Sequence, residues 1–298
     1  MTLTQLEAFV MVAEMRSFTD AAMRLTVSQS AISHAIKALE REWGIRLFLR
    51  DQGDIETTEI GRQLLGKARE LLGLAESIRQ EAADSRGLKQ GSLRIGSFGP
   101  TSSLRLLPKL LERFAQDYPG IEVHVEEGSD DEVLQWVRDR RVDLGFVVLP
   151  EESFETVELV EDQLVAILPA THPLADQPSV KLAELCSDPF ILTEAGSTQL
   201  VTKLFGAARL TPCIRYRNSQ ILSTLSLAAC GAGISIIAEL AIPPQSDRFD
   251  AMYVVKPLNP PAKRKVGIAY HGRQSSLAVQ AFVALSKKAG NRSGYFDI

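Results

Sequence analysis

In the first sixty residues, Leu3, Leu6, Phe9, Val10 and Ala13 recur at steps of three and four, the spacing of one buried face on a helix from Thr4 to Met15. Ser17 and Thr19 offer N-caps for a second short helix through Ala21, Ala22 and Leu25. The polar break Thr26-Val27-Ser28 precedes a third helix, which buries Ile32, Ile36, Leu39 and Trp43 and stops at Gly44, where a left-handed cap needs glycine. Two alternating runs follow, Ile45 to Arg50 and Ile55 to Thr58, separated by the turn-like Asp51-Gln52-Gly53-Asp54. Helices this short bury their stripes only against one another, so residues 1–60 are expected to form a compact three-helix unit with a hairpin beside it.

The face of the third helix opposite Ile32, Ile36 and Leu39 carries Gln29, Ser30, Ser33, His34 and Lys37, with Ser28 at its start. All of these can hydrogen-bond, and such a face fits a DNA major groove, where Gln reads adenine, Ser reads flexibly and Lys reaches guanine or phosphate. An ordinary solvated helix face has the same composition. Bulk charge does not decide between them. The chain carries net −4, and its first sixty residues hold six cations against nine acids. DNA binding would therefore depend on the placement of a few cations.

The order Phe9, Ser17-Phe18, Ala21-Ala22, Leu25, Ser28-Gln29-Ser30-Ala31-Ile32-Ser33, Ile36, Leu39-Glu40, Gly44, Leu47-Phe48, Arg50, Thr58 and Gly61 closely resembles the N-terminal module of LysR-type transcriptional regulators. The resemblance implies a winged helix-turn-helix in which the helix from Ser28 to Trp43 reads DNA and Arg50 on the wing lies near a phosphate. Two positions depart from the family pattern. Ser30 stands where proline is usual, and the normally basic wing tip reads Asp51-Gln52-Gly53-Asp54 with Glu56 behind it, which weakens the expected phosphate contacts.

Leu64, Ala68, Leu71, Ala75, Ile78 and Ala82 alternate steps of four and three, supplemented by Leu65 and Leu72. This is a heptad seam about three heptads long. It suits either a dimer interface or packing onto the chain's own second domain, and the resemblance favours a linker helix that pairs two DNA-binding modules. Residues 61–90 are read as this helix and a hinge, Ser85 to Ser92, containing Gly87 and Gly91.

Beyond the hinge, strand-like and helix-like runs alternate: Leu93-Ile95, Leu104 to Gln116, Ile121-Val125, Asp130 to Arg140, Leu144-Leu149, and so on to a final helix, Leu277 to Lys288. Such alternation predicts α/β structure with parallel strands. Arg94-Ile95-Gly96, Pro108, Tyr118-Pro119, Val142-Asp143-Leu144-Gly145, His172-Pro173-Leu174 and Gly231-Ala232-Gly233-Ile234 resemble the family's effector-binding domain, which has the two-lobed form of periplasmic solute-binding proteins. Residues 91–298 then divide into lobe one (91–161 and 266–298) and lobe two (162–265), with Leu159 to Val165 and Leu258 to Lys265 crossing between them.

Hydroxyls stand where strands end and helices begin: Thr101, Ser102 and Ser103, Ser129, Ser197 and Thr198, and Ser219. Each is an N-cap candidate, and helix N-termini also attract anions. By position in the family, Thr101, Ser102, Ser129, Ser197 and Thr198 are expected to touch an effector, with Phe146 and Val147 as apolar wall. A small carboxylate is the natural candidate, although no cationic clamp is evident.

Other classes fit less well. The chain lacks a Gly-x-Ser-x-Gly elbow, a His-Glu-x-x-His motif and a P-loop, and its four histidines are scattered, so no enzyme, metal site or cofactor is expected. A transport-type solute receptor would carry a signal peptide, and Leu3 to Met15, with Gln5, Glu7 and Glu14, does not read as one. No run approaches the roughly 20 apolar residues of a membrane span. Cys186, Cys213 and Cys230 are odd in number and far apart, as in a reducing compartment. The expectation is a cytoplasmic regulator whose partners are double-stranded DNA, a small-molecule effector, and itself as a dimer or dimer of dimers. The alternative is a solute-binding or enzymatic α/β protein with a helical N-terminal module that does not bind DNA.

Overall fold

The computed structural model describes residues 1–51, 54–84, 91–194, 198–243, 252–272, 275–291 and 295–296; the side chains of Arg50, Asp51, Asp54, Gln80, Glu81, Ala83 and Asp84 lie outside the description. The chain divides into two compact units: Met1–Ser85 with Arg138–Arg141, and Arg86–Val137 with Val142–Ile298.

In the first unit, α1 (Leu3–Met15) opens with a capping box: the Gln5 amide donates to Thr2 Oγ1 at 3.3 Å and the Thr2 amide donates to Gln5 Oε1 at 2.9 Å. Ser17 caps α2 (Phe18–Arg24) and Ser28 caps α3 (Gln29–Trp43), accepting from the Asp20 and Ala31 amides at 3.1 and 3.2 Å. α3 ends at Gly44 with φ +69°, a conformation that costs a Cβ-bearing residue energy. Leu6, Phe9, Val12, Ala21, Ile32, Ile36 and Leu39 meet in one core. β1 (Phe48–Asp51) and β2 (Asp54–Thr57) form an antiparallel hairpin with Phe48 opposite Thr57. Phe48 ties it to the helices through edge contacts with Phe9 and Phe18, at 5.6 and 6.0 Å between ring centroids.

α4 (Glu59–Asp84) has 26 residues and is therefore about 39 Å long. The expected seam does not have one role along this length. Leu64, Leu65, Ala68 and Leu72 pack onto the winged-helix core, whereas Leu71, Leu74 and Ile78 are 43, 45 and 62 % exposed. Ala75 is half-buried and Ala82 exposed. The apolar stripe left open thus runs along Leu71, Leu74, Ile78 and Ala82, and Leu74 is a member that the heptad reading omitted.

The second unit holds two hydrophobic cores. The first is built from β3 (Gly91–Phe98), a π-helical turn (Thr101–Leu106), α5 (Leu107–Asp117), β4 (Ile121–Gly128), α6 (Asp130–Arg138), β5 (Leu144–Leu149) and α9 (Leu277–Gly290), around Leu93, Ile95, Phe114, Phe146 and Phe282. The second contains β7 (Pro189–Thr193), α7 (Thr198–Ala207), β8 (Cys213–Asn218), α8 (Ile221–Ala229) and β9 (Ser235–Ala238), around Val165, Ile167, Phe190, Phe205 and Leu225. The two long strands β6 (Glu155–Pro169) and β10 (Tyr253–Tyr270) contribute to both.

The sheet is mixed. Its order is β4-β3-β5-β10-β6-β9; β3 pairs in parallel with β4 and β5, while β10 is antiparallel to both β5 and β6. The all-parallel expectation fails because the two crossing segments pair with each other, Arg264 opposite Asp162 and Lys265 opposite Glu161, so each satisfies the other's backbone groups across the connection. The ladder slips between Pro257 and Ala262, where Pro257, Pro260 and Pro261 have no N–H to donate.

Candidate nucleic-acid interface and ligand cleft

On α3, Ser28, Gln29, Ser30, His34 and Lys37 are exposed and Ser33 is half-buried. Gln29 Nε2 donates to Ser33 Oγ at 3.0 Å, and the Ser28 and Ser30 hydroxyls are 2.9 Å apart. These short bonds hold the polar groups together on one face. The first turn contains no acid, so the positive end of the helix is not neutralised by its own side chains. Ser30 occupies the second helical position without breaking the turn, so the missing proline costs the fold nothing visible. The Arg50 side chain and the wing tip lie outside the described residues, while Glu56 behind them is exposed.

The cleft of the second unit has two chambers that share Ser129 and Glu194. One, of about 290 Å³, is bounded by α6, the end of β5 from Val147, and α7 from Thr198 to Lys203. The other, of about 750 Å³, is bounded by Gly99 to Leu104, Glu127 to Ser129 and Ser219 to Ile221. Both walls of each chamber come from different lobes, and Gln199 Nε2 on α7 donates to Asp131 Oδ2 on α6 between them.

Of the residues expected here, Ser129, Val147 and Thr198 line the smaller chamber. Thr198 is partly committed, donating to the Thr193 carbonyl at 2.7 Å, and Ser129 donates to Glu132 Oε2 at 2.8 Å. Ser197 lies outside the described residues. Thr101, Ser102 and Phe146 are buried and line neither of these two chambers. The helix after β3 begins earlier than expected, as the π-helical turn, which draws Thr101 and Ser102 inward. Ser102 Oγ accepts from the Phe98 amide at 3.0 Å and donates to the Phe98 carbonyl at 2.7 Å, while Thr101 Oγ1 accepts from Arg264 Nη2 at 2.8 Å. Ser103 faces the larger chamber in their place. Phe146 points into the first core because alternation on β5 turns Val147 to the cleft.

The sequence reading missed the charge of this cleft. Among the described residues its walls carry Glu127, Asp130, Asp131, Glu132, Glu151 and Glu194 against one cation, Lys203. Burial pushes the Asp130 carboxyl up to about 6, with Arg264 opposing the shift and Asp131 adding to it. The sequence signals were acidic pairs near strand ends, Glu126-Glu127 in the last part of β4 and Glu151-Glu152 after β5, which look like solvated positions. Also missed was Arg264, which donates from Nε to Asp162 Oδ2 at 2.8 Å and lies 2.6 Å from it through Nη2. Asp162 Oδ1 accepts in turn from the Leu240 amide at 3.2 Å. This buried pair ties β6 and β10 to the turn at Thr101.

A winged helix-turn-helix whose third helix begins without an acid, followed by a two-lobed α/β domain with a cleft, defines a DNA-binding regulator with a sensor domain. Comparison with known proteins gives its family. Residues 3–62 match the helix-turn-helix of bacterial regulatory proteins of the lysR family, and residues 86–291 match the LysR substrate binding domain. The HTH-type transcriptional regulator YvbU of Bacillus subtilis is 33% identical over 290 residues, covering 97% of this chain and 98% of that one. LrrA of Synechococcus elongatus, a probable HTH-type transcriptional regulator, is 37% identical over 251 residues, covering 82% and 84%. Among solved structures, a full-length single-site variant of OxyR from Pseudomonas aeruginosa superposes with a TM-score of 0.68 at 25% identity, covering 98% of this chain and 96% of that one. CbnR complexed with its target DNA shares the fold, with a TM-score of 0.65 at 24% identity over 97% of this chain and all of its own.

The chain belongs to the LysR family of transcriptional regulators. It is a DNA-binding regulator controlled by a small molecule that its α/β domain binds, and the matched families and relatives are regulators rather than enzymes. No described helix is long and apolar enough to cross a membrane.

Proposed function

We propose that α3 reads the operator through Gln29, Ser30, Ser33, His34 and Lys37, with Ser28 and the helix N-terminus on a phosphate and Arg50 on the wing, and that the effector sits between the two lobes. The observation that carries this reading is the exposed polar face of α3, a helix that begins without an acid in a unit that is otherwise acidic. Two copies pair through the open stripe Leu71, Leu74, Ile78 and Ala82, so that two modest half-site contacts act together on one palindromic site. Pairs of dimers associate through their effector domains, and the protein works in the cytoplasm, where its DNA is. A ligand that touches both lobes favours one angle between them and so shifts the population of DNA-bound states.

Mobility shift on DNA from upstream of the chain's own gene tests the reading. Lys37→Ala and Gln29→Ala are expected to weaken specific binding while circular dichroism stays unchanged; wild-type affinity in both variants would overturn the recognition face. Ile78→Glu with Leu71→Glu is expected to give monomers in light scattering and to weaken operator binding. Dimers of unchanged stability in that variant would exclude the stripe as the pairing surface.

A further inference from the structure

We infer that the effector is a small organic cation, carrying an ammonium or guanidinium group, and not the carboxylate that the helix N-termini first indicated. The inference rests on the reading of the cleft as the effector site and names the ligand class for it.

Three observations carry it. Six carboxylates line the two chambers, and Glu194 is common to both, so a ligand in either one meets acid on both lobes. Of the three α-helix N-termini that line the chambers, that of α6 is already answered, since it begins with Asp130, Asp131 and Glu132 and the Ser129 amide donates to Glu132 Oε2 at 2.8 Å; α7 and α8 begin without an acid of their own, and Glu194 supplies the carboxylate on that lobe. The nearby cations among the described residues do not form a clamp. Lys203 is an exposed point charge at the rim, and the Arg264 guanidinium is buried against Asp162 and Thr101. Recognition of a carboxylate normally uses a planar, two-pronged donor, which the described lining residues do not offer.

Asp130 adds a requirement of its own. Its Oδ1 is buried with no hydrogen-bond partner among the described residues, a costly arrangement that a donor entering the chamber would relieve. A metal ion does not fit this role, because no group of three or more His, Cys, Asp or Glu side chains among the described residues is close enough to ligate one. An ammonium or guanidinium group has several N–H donors spread over a wider span, and the smaller chamber, at about 290 Å³, suits a ligand of metabolite size.

Calorimetric titration of the full-length protein tests this, with agmatine, arginine methyl ester and 1,4-diaminobutane as cations and succinate as the anion, at near-physiological salt so that loose surface attraction is screened. Saturable binding of at least one cation is expected, weakened at least tenfold by Glu194→Gln and again by Asp130→Asn, with no saturable binding of succinate. Glu194 is exposed, so its amide variant is expected to fold, and a thermal melt of each variant verifies this. Saturable binding of succinate without any cation would overturn the ligand class and leave the cleft as the effector site, the more so if Glu194→Gln tightened it. Cation binding indifferent to both variants would overturn the cleft reading as well. Failure of all three cations to bind would overturn the inference.

Discussion

The outer face of α3 and the wall of the cleft are made from similar materials, hydroxyl and amide side chains gathered near helix N-termini, yet they present opposite charge. The first turn of α3 has no acid, whereas the first turn of α6 has three, Asp130, Asp131 and Glu132. The α3 hydroxyls stay outside, held by bonds such as Gln29 to Ser33, while those after β3 turn inward and bond to backbone and Arg264. A helix N-terminus is therefore a site for anions only where its own first turn has not already supplied them.

The largest effect expected from this contrast is on stability. Arg264→Ala leaves the Asp162 carboxylate buried without its counter-ion and should cost about 3–5 kcal/mol in denaturant unfolding of the effector domain. Arg264→Ala with Asp162→Leu should recover much of that loss; if the single variant is as stable as wild type, the pair is not structural. On the α3 side, Gln29→Ala should cost about 1–3 kcal/mol of operator affinity and relax specificity at one base pair, while Lys37→Ala should also flatten the salt dependence. Equal losses on operator and random DNA from Gln29→Ala would make it a phosphate contact.

Asp130 gives a smaller effect with a defined pH signature. Its carboxyl rises from the ordinary 3.8 to about 6 on folding, so the native state holds this proton more tightly than the unfolded state. The stabilisation is complete below pH 3.8 and is lost as the pH rises through about 6. Asp130→Asn should thus raise stability by on the order of 2 kcal/mol at pH 7 to 8, a gain that shrinks toward acid pH. A gain independent of pH would place its origin elsewhere. Smallest of all, Ser17→Ala removes the α2 cap and should cost about 1 kcal/mol in thermal unfolding.

How far the sequence reached follows the same division. Helix periodicity decides which side chains leave a regular helix, so the buried Ile32, Ile36 and Leu39 and the exposed Gln29, His34 and Lys37 were all legible, as was Gly44 as the stop. Period-two alternation likewise separates Val147 from Phe146, but only when one knows which face of β5 meets solvent, and the sequence does not say. The burial of Thr101 and Ser102 was not legible because a wide helical turn is a local choice between hydrogen-bond patterns that leaves little compositional trace. Arg264 and Asp162 stand 102 residues apart, and nothing short of the β6–β10 register brings them together. The split role of α4 was hidden because Leu64 and Leu71 look alike in a heptad; only the winged-helix core, which ends near Leu72, distinguishes them.

The β6–β10 ribbon has a mechanical consequence. Because two hydrogen-bonded strands carry the chain from one core to the other, the lobes are joined by a torsion bar and not by a slack tether. Such a bar has a rest angle. Twisting such a bar stores elastic energy, and its hydrogen-bond register is interrupted at two slips, between Pro257 and Ala262 and between Val266 and Gly267.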